Sequence, residues 1–235
     1  MSEIRSQNQQ LKEFIELLMQ YAQDERLIDI NRCLLAQNLY FDACSLYNYI
    51  LFNYTEKSMI SKNVIYLNTF TKFIQIDLNI NADEEILSKL FDFYSIDNNN
   101  NNEKYLEYIQ FVDIFYPRYN LQLRRFLQQR NGLNNELKKI NNITRVLLQK
   151  LFIREINMIK NLIFTLNNYI NIMNFDINAL FNIISNNKNF ITKQDLINFI
   201  NLYHNEIYYT EEDINSIITS LSINRLIINK NENYK

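Results

Sequence analysis

Residues able to carry acid–base or metal chemistry are few in this 235-residue chain, and they are poorly grouped. His204, in NLYHNE, has no second histidine to accompany it and no nearby cysteine. It therefore lacks the convergent set that a zinc site or a general base needs, and it reads as a surface or helix-end residue. Cys33 and Cys44 lie eleven apart without a CxxC, a spacing that matches neither a metal framework nor a disulfide framework, so two buried free thiols are expected. Acids cluster twice, at Asp83, Glu84 and Glu85 and at Glu211, Glu212 and Asp213. Each cluster opens an apolar helical run, where the positive end of the peptide dipole favours negative charge. With Gly132 the one glycine, neither GxGxxG nor GxxxxGK[ST] can be written. No catalytic or cofactor-binding residue is assigned, and the reading is of a non-enzyme.

Composition narrows the class further. Lys+Arg of 24 against Asp+Glu of 26 leaves a formal charge of -2, and no basic stripe announces a nucleic-acid partner. Hydrophobic residues make up 47%, with 16 Phe and 16 Tyr, ample for a packed core. One Gly and one Pro leave almost none of the residues that tight β-turns use, so an all-α chain is expected. The longest apolar run, Val146 to Phe164, is interrupted by Lys150, Arg154, Glu155 and Lys160, too polar for a membrane span of about 20 residues. The polar MSEIRSQNQQ opening carries no secretory signal. A soluble, cytoplasmic protein is expected.

The elements follow from periodicity. Leu11, Phe14, Ile15, Leu18 and Met19 share one helical face, predicting a first helix that continues to Gln37 or restarts after Asp24 and leans on the helical repeat that opens at Phe41. A helix from Phe41 to Phe52 breaks at NYTEKS, and Ser61 is a candidate N-cap for the next. Asn81 or Asp83 would cap a helix carrying Leu87, Leu90, Phe91 and Tyr94. The Asn98–Asn102 tract is loop, Tyr105 to Tyr108 is extended, and a helix from Ile109 stops at Pro117. Further helices are predicted over Tyr119–Arg130, with Asn131 and Gly132 as C-cap, and from a Thr144 cap through Leu166. Beyond these, Phe175–Ile184 and Lys193–Ile200 are helical, and Thr210 with Asp213 makes a capping box ahead of Ile214 to Leu221.

Two stretches repeat. FDACSLYNYI at Phe41–Ile50 matches FDINALFNII at Phe175–Ile184, and ISKN at Ile60 parallels ITKQ at Ile191. ADEEI near Asp83 likewise parallels TEEDI near Glu211. This layout of helix, loop with an apolar residue near its eighth position, and helix, twice over, resembles the paired EF-hand of calmodulin. It is most similar to the multi-EF-hand proteins of ciliates, where a helix precedes each pair and the second hand ends in an FxxxFxP-like segment, here Phe111, Phe115 and Pro117. The resemblance implies an all-α fold of two EF-hand-like pairs joined by a long helical connector: an N-terminal helical segment over 1–40, pair one over 41–117, the connector over 118–174 and pair two over 175–235.

Ca²⁺ in such a loop takes six to eight oxygens, with a glycine at position 6 and a bidentate glutamate at position 12. With Ile60 as position 8, the first loop offers Asn53, Thr55, Lys57, Ser58 and Val64 at positions 1, 3, 5, 6 and 12, which abolishes the site. With Leu106 as position 8, Gln110 is position 12, and Asp97, Asn99, Asn101 and Glu103 are the weak candidate ligands. The third loop has Ser185, Asn187 and Lys188 before Ile191, Asp195 at its end, and Asn189 where glycine belongs. The fourth has no acid from Leu221 to Lys230. The resemblance therefore implies degenerate loops kept for shape, no required cofactor, and a scaffold whose apolar grooves hold an amphipathic helix, either a protein partner's or the chain's own connector. A cytoskeletal or ciliary assembly is the expected setting. The alternative is a calcium-binding sensor with one residual functional loop.

Overall fold

In the computed structural model, residues 7–55, 63–97, 104–130, 139–173 and 177–223 are described. The chain is all-α apart from one short sheet. It divides into two compact units, one of residues 27–160 and one that joins residues 1–26 to 161–235.

Helix α1 runs unbroken from Gln7 to Gln37. The apolar face read from Leu11 to Met19 does not lean on the first repeat. Leu11, Ile15, Met19 and Ala22 share a core with Leu180, Ile184, Leu196, Phe199, Ile214 and Ile217, all from the second repeat. Only the part of α1 from Leu27 onward belongs with the first repeat. The reason is length: successive stretches of one continuous helix can serve two cores, which the local pattern cannot reveal.

In residues 27–160, α2 (Ala43–Tyr54) begins at Asp42, whose carboxylate accepts from the Cys44 and Ser45 amides. Strand β1 (Ile65–Tyr66) leads into α3 (Leu67–Lys72), which widens into a π-helical turn over Phe73–Asp77. That turn carries Asp77 to Tyr49 and Tyr54, whose hydroxyls donate to it at 3.2 and 2.8 Å. The candidate cap Ser61 lies outside the described residues, and α3 starts at Leu67, after Tyr66, without a side-chain cap. Asp83, not Asn81, caps α4 (Glu84–Tyr94) through the Glu85 amide. After α4 come β2 (Ile96–Asp97), β3 (Lys104–Leu106) and α5 (Tyr108–Asp113).

The sheet has the order β1-β3-β2 with both pairings antiparallel, and Ile65 stands opposite Leu106. Helix α2 packs on α5, and α3 packs on α4. Beyond Pro117, the Arg118 and Tyr119 amides donate to the buried Asp29 carboxylate of α1 at 2.5 and 3.4 Å. Helix α6 is shorter than expected, Leu121–Gln128, and Asn131 and Gly132 lie outside the described residues.

Helix α7 runs from Asn142 to Met173. Its start is held by Asn141, which accepts from the Ile143 amide, so Thr144 is not the cap. Thr144 is buried inside the first turn and accepts from the Asn38 side chain at 2.9 Å. The packing face of α7 is aromatic at Phe152, whose ring lies 5.8, 6.2 and 6.0 Å from those of Phe70, Phe73 and Phe115. These are edge-on contacts at which aromatic pairs add to the burial of their area.

One charged cluster is sealed in this core. Arg32 of α1 and Glu155 of α7 are both fully buried and meet at 2.6 Å. Arg32 also donates to the Tyr94 hydroxyl of α4 at 3.0 Å and to the Ile114 carbonyl at 2.9 Å, and Tyr94 donates to Glu155 at 2.8 Å.

The second unit adds α8 (Ile177–Ser185), α9 (Lys193–Tyr203) and α10 (Glu211–Ile223), with α9 packed on both of its neighbours. The Thr210–Asp213 capping box is present: the Thr210 amide and hydroxyl donate to Asp213, and the Asp213 amide donates to Thr210.

Two variants weigh these contacts. Glu155→Leu alone leaves the Arg32 guanidinium buried without its counter-charge and is expected to cost about 3–5 kcal/mol in urea unfolding. Adding Arg32→Met to it should return most of that loss. Phe152→Ala should cost about 3–5 kcal/mol by the same measurement, the usual range for emptying an aromatic position in a core.

Candidate functional site

The loops between successive helices are where oxygen ligands would gather. In the first, Ile60 does not hold the strand position. Ile65 pairs with Leu106, five residues later, and Ile60 itself lies outside the described residues together with Lys57 and Ser58. Both candidates are Ile in a run of mixed polarity, so local pattern alone does not separate them. Counting back two places from Ile65 brings Asn63, whose φ of 51° is the left-handed conformation for which a turn glycine is otherwise used. Its carbonyl accepts from the Tyr47 hydroxyl at 2.6 Å. Val64 is core rather than loop end.

In the second loop Asp97 belongs to β2 and faces Lys104 of β3 in register. Asn99, Asn101 and Glu103 lie outside the described residues. Lys104 is drawn instead to Asp92 of α4 at 3.0 Å. Gln110, at the loop's expected twelfth position, has a buried Oε1 without a hydrogen-bond partner.

The third loop is the best defined. Asn186 and Asn187 take φ of 52° and 60°, so the turn falls there and not at Asn189. Thr192 caps α9 in a reciprocal box with Asp195, a box the sequence reading missed although T-x-x-D is its short form. One oxygen of the buried Asp195 carboxylate accepts from the Thr192 amide and hydroxyl at 3.0 and 2.7 Å. The other accepts from Lys188 Nζ at 2.7 Å. The Lys188 ammonium, followed by the Thr192 hydroxyl, holds the Asp195 carboxyl below its ordinary value. The acid at the end of this loop is thus engaged in an ion pair made within the loop itself. The fourth loop's Leu221–Ile223 are helical, and the remainder to Lys230 lies outside the described residues.

The other reactive groups are held in structural roles. Burial, with Asp29 beside it, pushes the Cys33 thiol up to about 11, so it stays protonated at neutral pH. Both cysteines are free, but they are half-buried rather than buried. His204 ends α9, with Nε2 3.3 Å from Glu16. Glu211 pairs with Lys193 at 2.6 Å, and Asp213 and Glu212 flank Arg26 at 2.8 and 3.3 Å. Burial opposes ionisation of Asp213, but the Thr210 and Arg26 hydrogen bonds outweigh it and hold the carboxyl below its usual range.

Among the described residues no three His, Cys, Asp or Glu side chains come together as a metal site, and no helix is long and apolar enough to cross a membrane. No protein-family model matches the chain, and no curated protein or solved structure matches it either.

The Lys188–Asp195 pair has a testable pH signature. A carboxyl held below its ordinary 3.8 stabilises the fold above that pH, and the contribution fades as the pH falls through the folded value. Lys188→Met should therefore lower the thermal midpoint near neutrality, with the two proteins converging below pH 3.8. Melting curves across a pH series read this directly.

Proposed function

We propose that the chain is a non-enzymatic scaffold of two EF-hand-like helix pairs, held in one conformation without Ca²⁺, that binds helical segments of protein partners in a larger assembly. Three features support the pairing. The bridge of Ile65 to Leu106 joins two loops that each lead into a helix, α2 packs on α5, and α3 packs on α4.

The observation that carries calcium independence is the Lys188–Asp195 contact of 2.7 Å. A bidentate acid at the end of an EF-hand loop closes the coordination of Ca²⁺. Here the loop's last acid is met by an ammonium from its own middle, so the positive charge is part of the chain.

In sensor EF-hands the ion opens a helix pair and exposes a groove for an amphipathic helix. This chain covers such faces with its own helices: Phe152 of α7 among Phe70, Phe73 and Phe115, and Leu11, Ile15 and Met19 of α1 against the second repeat. A module built in this way has no closed state to be released from. Resemblance to ciliate proteins makes a cytoplasmic, cytoskeletal or ciliary assembly the setting to search first.

The second reading, a calcium-binding regulator with one residual loop, draws on the partnerless Gln110 oxygen and on Asp97, Asn99, Asn101 and Glu103 near it in sequence. Calorimetric titration of the full chain with Ca²⁺ separates the two. The scaffold reading expects no binding heat up to millimolar ion, whereas heat at micromolar ion, the range of sensors, would establish the regulator.

A further inference from the structure

The outward faces of α1 and α7 within residues 27–160 carry a pattern that neither the loops nor the core uses. On α1, Leu27, Ile30 and Leu34 are spaced three and four apart. On α7, Ile143, Val146 and Ile153 keep the same rhythm, with Lys150 in the intervening place. All six apolar side chains are 42–57% exposed. Alternating steps of three and four are the spacing of a seam that receives another helix. At 100° per residue, the α7 set falls with Lys150, Arg154 and Lys160 on about a third of the helix circumference.

The two helices run antiparallel, and at 100° per residue each stripe lies on the side of its helix away from the Arg32–Glu155 contact. Arg32 meets Glu155, and Asn38, further along α1, meets Thr144, further back along α7. Helix α7 also sorts its charges. Its acid, Glu155, is buried and hydrogen-bonded inside. What remains on the exposed side of α7 is basic: Lys150, Arg154 and Lys160 are exposed. Among the described residues none of these three has a carboxylate at ion-pair distance.

We propose that the apolar and basic face of α7 is the docking surface for an acidic amphipathic helix of a protein partner. The stretch from Ile143 to Lys160 is about 26 Å long, matching a partner helix of roughly five turns. Apolar residues on the guest would fill the seam, and its flanking acids would answer the three basic side chains, the arrangement that sets partner choice and orientation between helices. An anionic membrane is the poorer match. Faces that lie in a lipid surface use Trp, Phe and Leu, whereas the α7 stripe is Ile and Val, which are stiff and suited to knob-and-hole packing. The inference draws on none of the loops and stands apart from calcium binding.

The test uses the full chain and a labelled three-heptad peptide with Leu at a and d and Glu at e and g, alongside a copy with Lys in place of Glu. Fluorescence anisotropy at low salt should show the acidic peptide bound and the basic one not. The double variant Lys150→Glu with Arg154→Glu, whose sites are exposed, should keep the parent's circular dichroism and melting midpoint. It should bind the acidic peptide about tenfold or more weakly and gain affinity for the basic one. Ile153→Asp should weaken acidic-peptide binding without that gain. The proposal is overturned if neither peptide binds, or if the acidic peptide binds the folded variants as well as it binds the parent. It is equally overturned if phosphatidylserine vesicles compete for the same residues more strongly than the peptide, or if sedimentation shows the chain dimerising through this face and Ile153→Asp dispersing the dimer.

Discussion

Holding the Arg32 guanidinium where no solvent reaches it obliges the surrounding segments to replace water, and three of them do so. Glu155 supplies the counter-charge, Tyr94 a hydroxyl that touches both ions, and the chain after α5 the Ile114 carbonyl. Removing charges from water costs several kcal/mol per ion, which mutual attraction offsets only when the geometry is good and further hydrogen bonds are made. Such a cluster is therefore a poor source of net stability and a demanding constraint on position. A one-residue slip of α7 would turn Glu155 by about 100° away from Arg32. Because Tyr94 ends α4 and Ile114 comes directly after α5, the cluster also gathers the ends of these two helices.

The aromatic core is arranged about that fixed point. Phe152 lies one turn before Glu155 on α7 and reaches Phe70, Phe73 and Phe115, and Phe115 in turn touches Phe41 and Phe111. The π-helical turn at Phe73–Asp77 belongs to the same accommodation. By widening the helix it keeps Phe73 in the core while swinging Asp77 to Tyr49 and Tyr54. The near-zero net charge of the chain conceals how unevenly charge is distributed, with Asp29 of α1 and Glu155 of α7 turned inward and Lys150, Arg154 and Lys160 of α7 outward.

Much of the architecture was legible wherever a local rule decided it. The face from Leu11 to Met19, the cap at Asp83 as one of two candidates, the Thr210–Asp213 box and the extended step at Tyr105 and Leu106 all depend on neighbours a few residues apart, whereas the helix expected to run to Pro117 already ends at Asp113. The failures share a different cause. Thr144 has the right chemistry for a cap, but Asn141 lies nearer the true start, and the Thr144 hydroxyl is drawn to Asn38, 106 positions away. Ile60 and Ile65 are equivalent to any pattern, and only pairing with Leu106 distinguishes them. Lys150, Arg154, Glu155 and Lys160 look alike as charges interrupting an apolar run, yet three face outward and one is sealed inside against a residue 123 positions away. Of the candidate ligands, Asp97 alone falls within the described residues, and the one well-defined loop shows a lysine already answering its acid.

The membership of α1 in two cores also sets an order of events. The side chains that cover Leu11, Ile15 and Met19, from Leu180 to Ile217, are synthesised more than 160 positions after them. At roughly 5–20 residues per second, that face waits on the order of ten seconds or longer on the ribosome before its own core can close. The contacts within residues 27–160 can form in the meantime, since both sides of each are already made. The leading half of α1 is thus left with its apolar face uncovered during synthesis until its distant partners emerge.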